Sequence, residues 1–354
     1  MPPRFHTLAI TAANHDTADA MVLTFAVPTE LAEDYAFTPG QYLTLRHKSV
    51  DHDIRRSYSI CSGPTEPLSV AVKRIPGGKF SELAMGFAEG DELEVMTPEG
   101  RFLAPTGGQN NHLLLAAGSG ITPMMSIAKT TLENEPDSIV TLCYANRSTD
   151  SVMFKEDLEN LKDQFMNRFL LTHVMDEEKQ DVALFNGRLD QEKLETLATR
   201  GLIDPPKYTG IYICGPQPMI EAAAKAMENL GADPCRIKFE LFTPPGGLPT
   251  ASATPSKVVN EKGAKVTITV DGASRSFHLD EGAGMVDAAA KAGLEFPYSC
   301  NNGMCATCRC KLVEGDAEMR QNFSLEQWEM NAGFVLACQV RPLSDEVSLD
   351  FDAV

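Results

Sequence analysis

The rhythm of apolar and polar positions changes twice along the chain. Up to about residue 105 it alternates in short runs: MVLTFAV (21–27), QYLTLRH (41–47), RRSYSICS (55–62), LSVAVKRI (68–75) and DELEVMTP (91–98). A period of two, carried by β-branched and aromatic residues, signals strands. Pro39-Gly40, Gly63-Pro64, Gly77-Gly78, Gly90-Asp91 and Glu99-Gly100 separate the runs as turns. With a single short helix at FSELAMGF (80–87), the pattern predicts a small antiparallel β-barrel over residues 1–105.

After Pro105-Thr106-Gly107-Gly108 the apolar runs become continuous. HLLLAAGSG, SIVTLCYANR, FLLTHVM and GIYICGP alternate with the helical stretches MMSIAKTTLE, VMFKEDLENLKDQF, QEKLETLATRG and PMIEAAAKAMENLG. Strand–helix alternation predicts an α/β doubly wound parallel sheet over 106–243, closing with RIKFELF (236–242). The Pro-, Gly- and Ser-rich stretch TPPGGLPTASATPSK reads as a linker, placed at 244–260. Over 261–354, VTITVDGASRSFHL predicts a hairpin turning at Asp271-Gly272, and GMVDAAAKAGL a short helix stopping at Gly293.

The strongest chemical signal lies in this last segment. PYSCNNGMCATCRC sets Cys300, Cys305 and Cys308 as C-x4-C-x2-C, and Cys338 follows in LACQVRP. That is the plant-type spacing for four thiolates around a [2Fe–2S] cluster. Gly303 suits a loop that wraps closely around inorganic sulfide. The alternative is a structural zinc held by four cysteines, although zinc sites usually pair their ligands in two short motifs. Cys310 is a fifth thiol. Spacing alone does not exclude it, since an extended chain would put it on the face of Cys308; the four-ligand match leaves it out.

Composition narrows the partners. The net charge of −18 and pI of about 4.8 argue against nucleic acid and anionic membrane, and allow a basic protein surface. No apolar run approaches the ~20 residues needed to span a bilayer. MPPRFHTLAI lacks the charged start and apolar core of a signal peptide. The chain is therefore expected in the cytoplasm, where nine cysteines point to metal or redox chemistry rather than disulfides.

Several local motifs suit a flavin and a dinucleotide. In Arg56-Ser57-Tyr58-Ser59 the arginine fork matches a pyrophosphate, the tyrosine ring can lie on an aromatic ring, and a hydroxyl can bond a ring nitrogen. Gly77-Gly78-Lys79-Phe80-Ser81 leads into a helix start, where free N–H groups favour phosphate; it reads equally as a capped loop. Gly118-Ser119-Gly120-Ile121-Thr122-Pro123 follows an apolar strand and opens a helix, so its glycines let the backbone approach a phosphate. Cys214-Gly215-Pro216 ends another strand, where a small thiol can rest against a nicotinamide or serve as plain core. Arg147-Ser148 follows the second parallel strand. No acidic residue ends that strand, so the pair suits a 2′-phosphate and favours NADPH over NADH.

Taken together, RSYS, GGKFS, GSGITP and CGPQPM resemble the ferredoxin–NADP⁺ reductase superfamily, and CNNGMCATCRCK resembles plant-type ferredoxin. The order, reductase first and a β-grasp ferredoxin last, is similar to the reductase subunits of ring-1,2-phenylacetyl-CoA epoxidases. Reductases of ketosteroid or Rieske-type oxygenases and of hybrid-cluster protein are the alternatives. The resemblance implies FAD bound by Arg56, Ser57, Tyr58, Ser59, Val72, Lys73, Gly78, Lys79, Phe80 and Ser81. It implies NADPH or NADH at Gly118, Ser119, Gly120, Thr122, Pro123, Arg147, Ser148, Cys214, Gly215 and Pro216, with Phe242 near the flavin. Ser59, Cys214 and Glu240 would stand at the point of hydride transfer, and Cys300, Cys305, Cys308 and Cys338 would ligate the cluster. The implied partner is a protein electron acceptor, a multi-subunit di-iron oxygenase. A binding module with zinc and a degenerate flavin domain, without turnover, is the reading from another class.

Overall fold

Leu8, Leu23, Leu43, Leu45, Ile54, Val70, Val72 and Val95 point inward from six strands and form one closed core, with Phe80 among them. In the computed structural model, which describes residues 4–49, 53–242 and 263–353, these strands are β1 (Phe5–Thr17), β2 (Ala20–Phe25), β3 (Tyr42–Lys48), β4 (Asp53–Ser59), β5 (Ser69–Lys73) and β6 (Glu92–Met96). Their order is β4-β3-β6-β1-β2-β5, and a bridge between Ile60 and Val70 joins the two edges. Helix α1 (Lys79–Ala84) covers one end. The alternating runs predict five of these strands. The longest, β1, escapes them because only Leu8 and Ile10 are buried along it, the remaining positions being polar or small.

The same unit continues into β7 (Asn111–Ala117), α2 (Ile121–Asn134), β8 (Ile139–Asn146), α3 (Lys155–Gln164), β9 (Phe169–Met175), α4 (Gln191–Thr199), β10 (Gly210–Cys214), α5 (Gln217–Asn229) and β11 (Ile237–Glu240). The sheet is parallel, in the order β11-β10-β7-β8-β9. Leu158, Leu161 and the methionines of α2 cover one face; Leu194, Leu197 and the apolar side of α5 cover the other. With both faces covered, the central strands are apolar throughout, as parallel sheets require. Strand order reverses between β7 and β10, so a crevice opens there at the C-terminal ends. The segment leaving the barrel is clamped to this sheet: Lys238 Nζ donates to the Leu103 carbonyl at 2.6 Å, and Phe102 meets Tyr212 edge-on at 5.4 Å.

The second unit is C-terminal. It comprises β12 (Ala264–Val270), β13 (Ala273–Leu279), α6 (Met285–Lys291), β14 (Arg309–Glu314), β15 (Ala317–Met319), α7 (Gln327–Asn331), β16 (Phe334–Leu336), β17 (Val340–Pro342) and β18 (Glu346–Asp350). Asp271 and Gly272 both take positive φ, 52° and 72°, the primed turn that Asp-Gly favours in a two-residue hairpin. The last strand, β18, inserts parallel to β12 and antiparallel to β14, giving the order β13-β12-β18-β14-β16. Met285, Val286 and Ala289 bury α6 on this sheet, in β-grasp fashion. The stretch expected as a linker lies outside the described residues. Among the described residues, no helix is long and apolar enough to cross a membrane.

Buried His112, on β7, gives the first unit an acid sensitivity. Burial holds its imidazole down to about 4 from an ordinary 6.5. The unfolded chain therefore takes up a proton that the folded one refuses, and stability is lost progressively as pH falls from about 6.5 to about 4. His112→Asn should remove about 2–3 kcal/mol of the stability difference between about pH 7 and about pH 4.5. Urea midpoints of the wild type and variant at both pH values check this; parallel pH slopes would contradict it.

Candidate redox site

Three residues far apart in sequence meet at the crevice. Ser59 ends β4 of the barrel, Cys214 ends β10, and Glu240 ends β11 in register with Cys214. The Ser59 hydroxyl donates to Glu240 Oε2 at 3.1 Å. Cys214 is wholly buried behind them; burial, then the Glu240 carboxylate, pushes its thiol well above the usual range. It is thus a neutral packing group at neutral pH, not a thiolate. Tyr58, one residue before Ser59, is half-buried and leans on Phe80 with ring centroids 5.5 Å apart.

Gly120 makes this convergence possible. A Cβ there would overlap the backbone carbonyl of Cys214, and one at Gly215 would crowd Met219 and Ala117. Gly118 takes a φ of +53°, and its carbonyl accepts from Tyr144 Oη at 3.0 Å. The chain thus turns sharply from β7 into α2, with Gly118 and Ser119 half-exposed at the mouth of the crevice. The turn leads directly into the 14-residue helix α2, whose first amide, Ile121 N–H, bonds back to the carbonyls of Gly118 and Ser119.

Several expected ligand residues have side chains that are buried or engaged within the chain. The side chains of Thr122 and Pro123 are buried, and the Thr122 hydroxyl donates back to Ser119 O at 3.1 Å. The side chains of Val72 and Phe80 belong to the barrel core. Ser81 Oγ accepts from Ile75 N at 3.0 Å, and Gly77 N–H is taken by Glu82 Oε1 at 2.8 Å; Gly78 closes this loop where a Cβ would strike Ser81 Oγ. The amides of Ile75, Gly77 and Gly78 are thus taken within the loop, and the six-residue α1 starts behind it without a side-chain cap. Ser148 is engaged in a capping box with Ser151. Arg56, Lys79, Pro216 and Phe242 are exposed, Ser57 and Gly215 are half-buried, and Lys73 stands 3.7 Å from Asp19. Arg147 is exposed at the end of β8.

In the C-terminal unit the four cysteines gather as two pairs. Cys300 and Cys305 are in hydrogen-bonding contact, as are Cys308 and Cys338. Backbone N–H groups of Asn302, Met304 and Cys305 point at Cys300 Sγ, each at 3.4 Å. Thr307 Oγ1 donates to Cys305 Sγ at 3.2 Å and Gln339 Nε2 to Cys338 Sγ at 3.4 Å. The partner thiol and these amides lower Cys300 from the ordinary thiol range. Asn301, Gly303 and Ala306 all take positive φ, which turns successive amides toward the sulfurs. Two thiol pairs suit two sulfide-bridged irons, each needing two protein ligands, better than one zinc at a common centre. Cys310 points elsewhere: it is buried on β14 and contacts the Val335 carbonyl.

Comparison with known proteins agrees with this geometry. Residues 7–103 match the oxidoreductase FAD-binding domain, 114–225 the oxidoreductase NAD-binding domain and 268–343 the 2Fe-2S iron-sulfur cluster binding domain. One component of the 1,2-phenylacetyl-CoA epoxidase of Escherichia coli is 42% identical over 99% of this chain and 98% of that protein. This chain belongs to the ferredoxin–NADP⁺ reductase superfamily, in the branch carrying a C-terminal [2Fe–2S] domain. The ferredoxin reductase component of the 3-ketosteroid-9-alpha-monooxygenase of Rhodococcus rhodochrous is 33% identical over 97% of the chain and 96% of its own length. Among solved structures, phthalate dioxygenase reductase shares the fold with a TM-score of 0.59, at 23% identity over 98% of both chains. The reductase accordingly uses FAD, a [2Fe–2S] cluster and a nicotinamide dinucleotide.

The tight approach at Gly120 is directly testable. Gly120→Ala must move the start of α2 or the end of β10, and a displacement near 1 Å can cost about 10²-fold in rate. The variant should keep its FAD yet lose about that factor in kcat/KM for the nucleotide, assayed with ferricyanide. A variant with unchanged kcat/KM would show that the approach does not set the crevice.

Proposed function

We propose that this reductase draws electrons from NAD(P)H at the crevice of the first unit and delivers them through its C-terminal domain to an oxygenase, namely a multi-subunit di-iron epoxidase acting on phenylacetyl-CoA. The observation that carries the first half is the meeting of Ser59, Cys214 and Glu240 at the open end of the sheet switch point. The second half rests on full-length similarity to the Escherichia coli epoxidase component. When bound, FAD supplies the conversion of a two-electron hydride into single electrons that a [2Fe–2S] cluster can accept.

The chain's own residues position and protect. Gly118, Ser119 and the first turn of α2 hold the pyrophosphate. Gly215 and Pro216 border the nicotinamide end, and buried Cys214 keeps that wall free of water. Ser59 holds a hydrogen-bonding hydroxyl against Glu240, so this carboxylate stays oriented at the crevice. Arg56 and Lys79, both exposed, are the cations available to the FAD phosphates, and Tyr58, backed by Phe80, offers its ring to the flavin. Cys300, Cys305, Cys308 and Cys338 hold the cluster, while Thr307, Gln339 and three backbone amides offset thiolate charge. Nine cysteines, four of them assigned to a cluster, suit a reducing, cytoplasmic setting.

An anaerobic titration with NADPH and NADH, with iron and sulfide assayed, tests the relay. The flavin and iron–sulfur absorbances should both bleach, with about two irons per chain. Cys305→Ser should abolish reduction of the oxygenase partner but preserve nucleotide oxidation by ferricyanide. Loss of both activities in a folded, FAD-replete variant would refute the order of electron flow. Reconstitution with the epoxidase and with a ketosteroid oxygenase separates the partners, the latter supported by the 33% similarity.

A further inference from the structure

We infer that Lys129 is a positioning residue for hydride transfer: its ion pair with Glu66 is a strut that holds the flavin barrel over the nucleotide sheet at the angle the transfer needs. The inference rests on the function proposed above. It goes beyond that reading by giving a role to charged groups outside the meeting point of Ser59, Cys214 and Glu240.

The strut joins the two elements that carry the reacting ends. Lys129 lies on α2, the helix that begins at the Gly118–Gly120 turn. Its Nζ donates to Glu66 Oε1 and Oε2 at 3.0 Å each. Glu66 Oε2 also accepts from Gly63 N at 2.7 Å, so the same carboxylate pins the loop that leaves Ser59 and runs to β5. The Lys129 side chain is only 12% exposed. A second carboxylate, Asp157 in the first turn of α3, accepts from Nζ at 3.2 Å. Burial disfavours the ammonium, yet Asp157 and Glu66 together hold it above its ordinary range, and the strut stays charged.

The barrel has a second foot on the sheet nearby. Asp16, near the end of β1, accepts the Phe154 N–H with both carboxylate oxygens, at 3.0 Å each. Phe154 opens α3 at a φ of +57° and has no side-chain cap of its own. A buried phenylalanine in that backbone region persists only where its surroundings over-determine it. Here a hairpin of the barrel caps a helix of the sheet. Around these two feet an open cleft of about 680 Å³ runs between the hairpin and the β4–β5 loop on one side and α2 and α3 on the other. Cys61 and Ala71 of the barrel share one apolar core with Met124 and Ala128 of α2. Apolar contact is non-directional, so it draws the halves together without fixing their tilt. Charge-assisted hydrogen bonds are short and directional, and two of them across a cleft do fix it.

The test uses the full chain loaded with FAD and cluster. Anaerobic stopped-flow follows flavin bleaching by NADH and NADPH, and FAD content and melting temperature are measured on every variant. In Lys129→Met the limiting bleaching rate per bound FAD should fall by about tenfold or more, as a misplacement below 1 Å suffices for that. The nucleotide Kd should change by less than about threefold, since the strut positions rather than binds. Glu66→Gln should slow bleaching in the same way, and the double variant should be no slower than Lys129→Met, because both changes break one contact. Lys129→Arg should recover to within about threefold of wild type, and Asp157→Asn, which leaves the bond across the cleft in place, should stay within about threefold. A lysine that only stabilises the fold would lower melting temperature and FAD content with the bleaching rate per bound FAD unchanged, and that result overturns the inference. Additive losses in the double variant overturn it as well. Glu66→Gln keeps an acceptor for Gly63 N–H, so it carries the test if Lys129→Met does not fold, and an unchanged rate in it is equally decisive. If neither nucleotide bleaches the wild-type flavin, the proposed function itself fails, an outcome distinct from an unmoved variant.

Discussion

The close approach of Gly120 to the backbone of Cys214 governs the redox site of the first unit. It sits where the strand order of the parallel sheet reverses, and it allows the turn into α2 and the end of β10 to share one narrow space. Remove the missing side chain's room and the two halves of the crevice must part. The clamp of Lys238 and Tyr212 on the segment around Leu103 then carries this sheet to the barrel, which brings Ser59 within hydrogen-bonding distance of Glu240. Backbone packing, not any reactive side chain, therefore sets the position of the residues at the hydride end.

The cysteine loop answers to a different constraint. Thiolates repel one another and lose solvation when buried, so a loop that collects four of them needs compensating dipoles. It obtains them from its own amides, at the cost of holding Asn301 and Ala306 in a backbone region that side chains disfavour. The loop is pinned from outside. Phe323 N and Ser324 Oγ donate to the Gly303 carbonyl, and a Cβ on Gly303 would meet the carbonyl of Gln321. Next to it, Arg309 bonds the fully buried Glu329 at 2.8 Å and lies on the Phe334 ring, tying the exit of the loop to α7.

How far the sequence speaks depends on whether a feature is local. The C-x4-C-x2-C spacing is legible because the ligands share one loop and the chemistry dictates their separation. The doubly wound sheet is legible because parallel strands buried on both faces must be apolar throughout. Strand β1 is not, since a barrel strand with two core contacts carries almost no periodic signal. Ser81 and Thr122 look like ligand residues from their motifs, yet their hydroxyls satisfy nearby backbone groups, a use that spacing cannot reveal.

By itself, then, the sequence determined the three kinds of architecture, the spacing of the four cysteines that gather in the C-terminal unit and the Gly-rich turn into α2, all of which follow from short-range periodicity or fixed spacing. Only the tertiary structure decided that Ser59, 181 residues before Glu240, would bond to it. Only it decided that Cys214 would be a buried neutral thiol and that Arg147 would stand beside the Asp19 carboxylate of the β1–β2 hairpin. The physical reason is that charge balance and burial depend on which strands become neighbours, and that is settled by packing across the whole sheet.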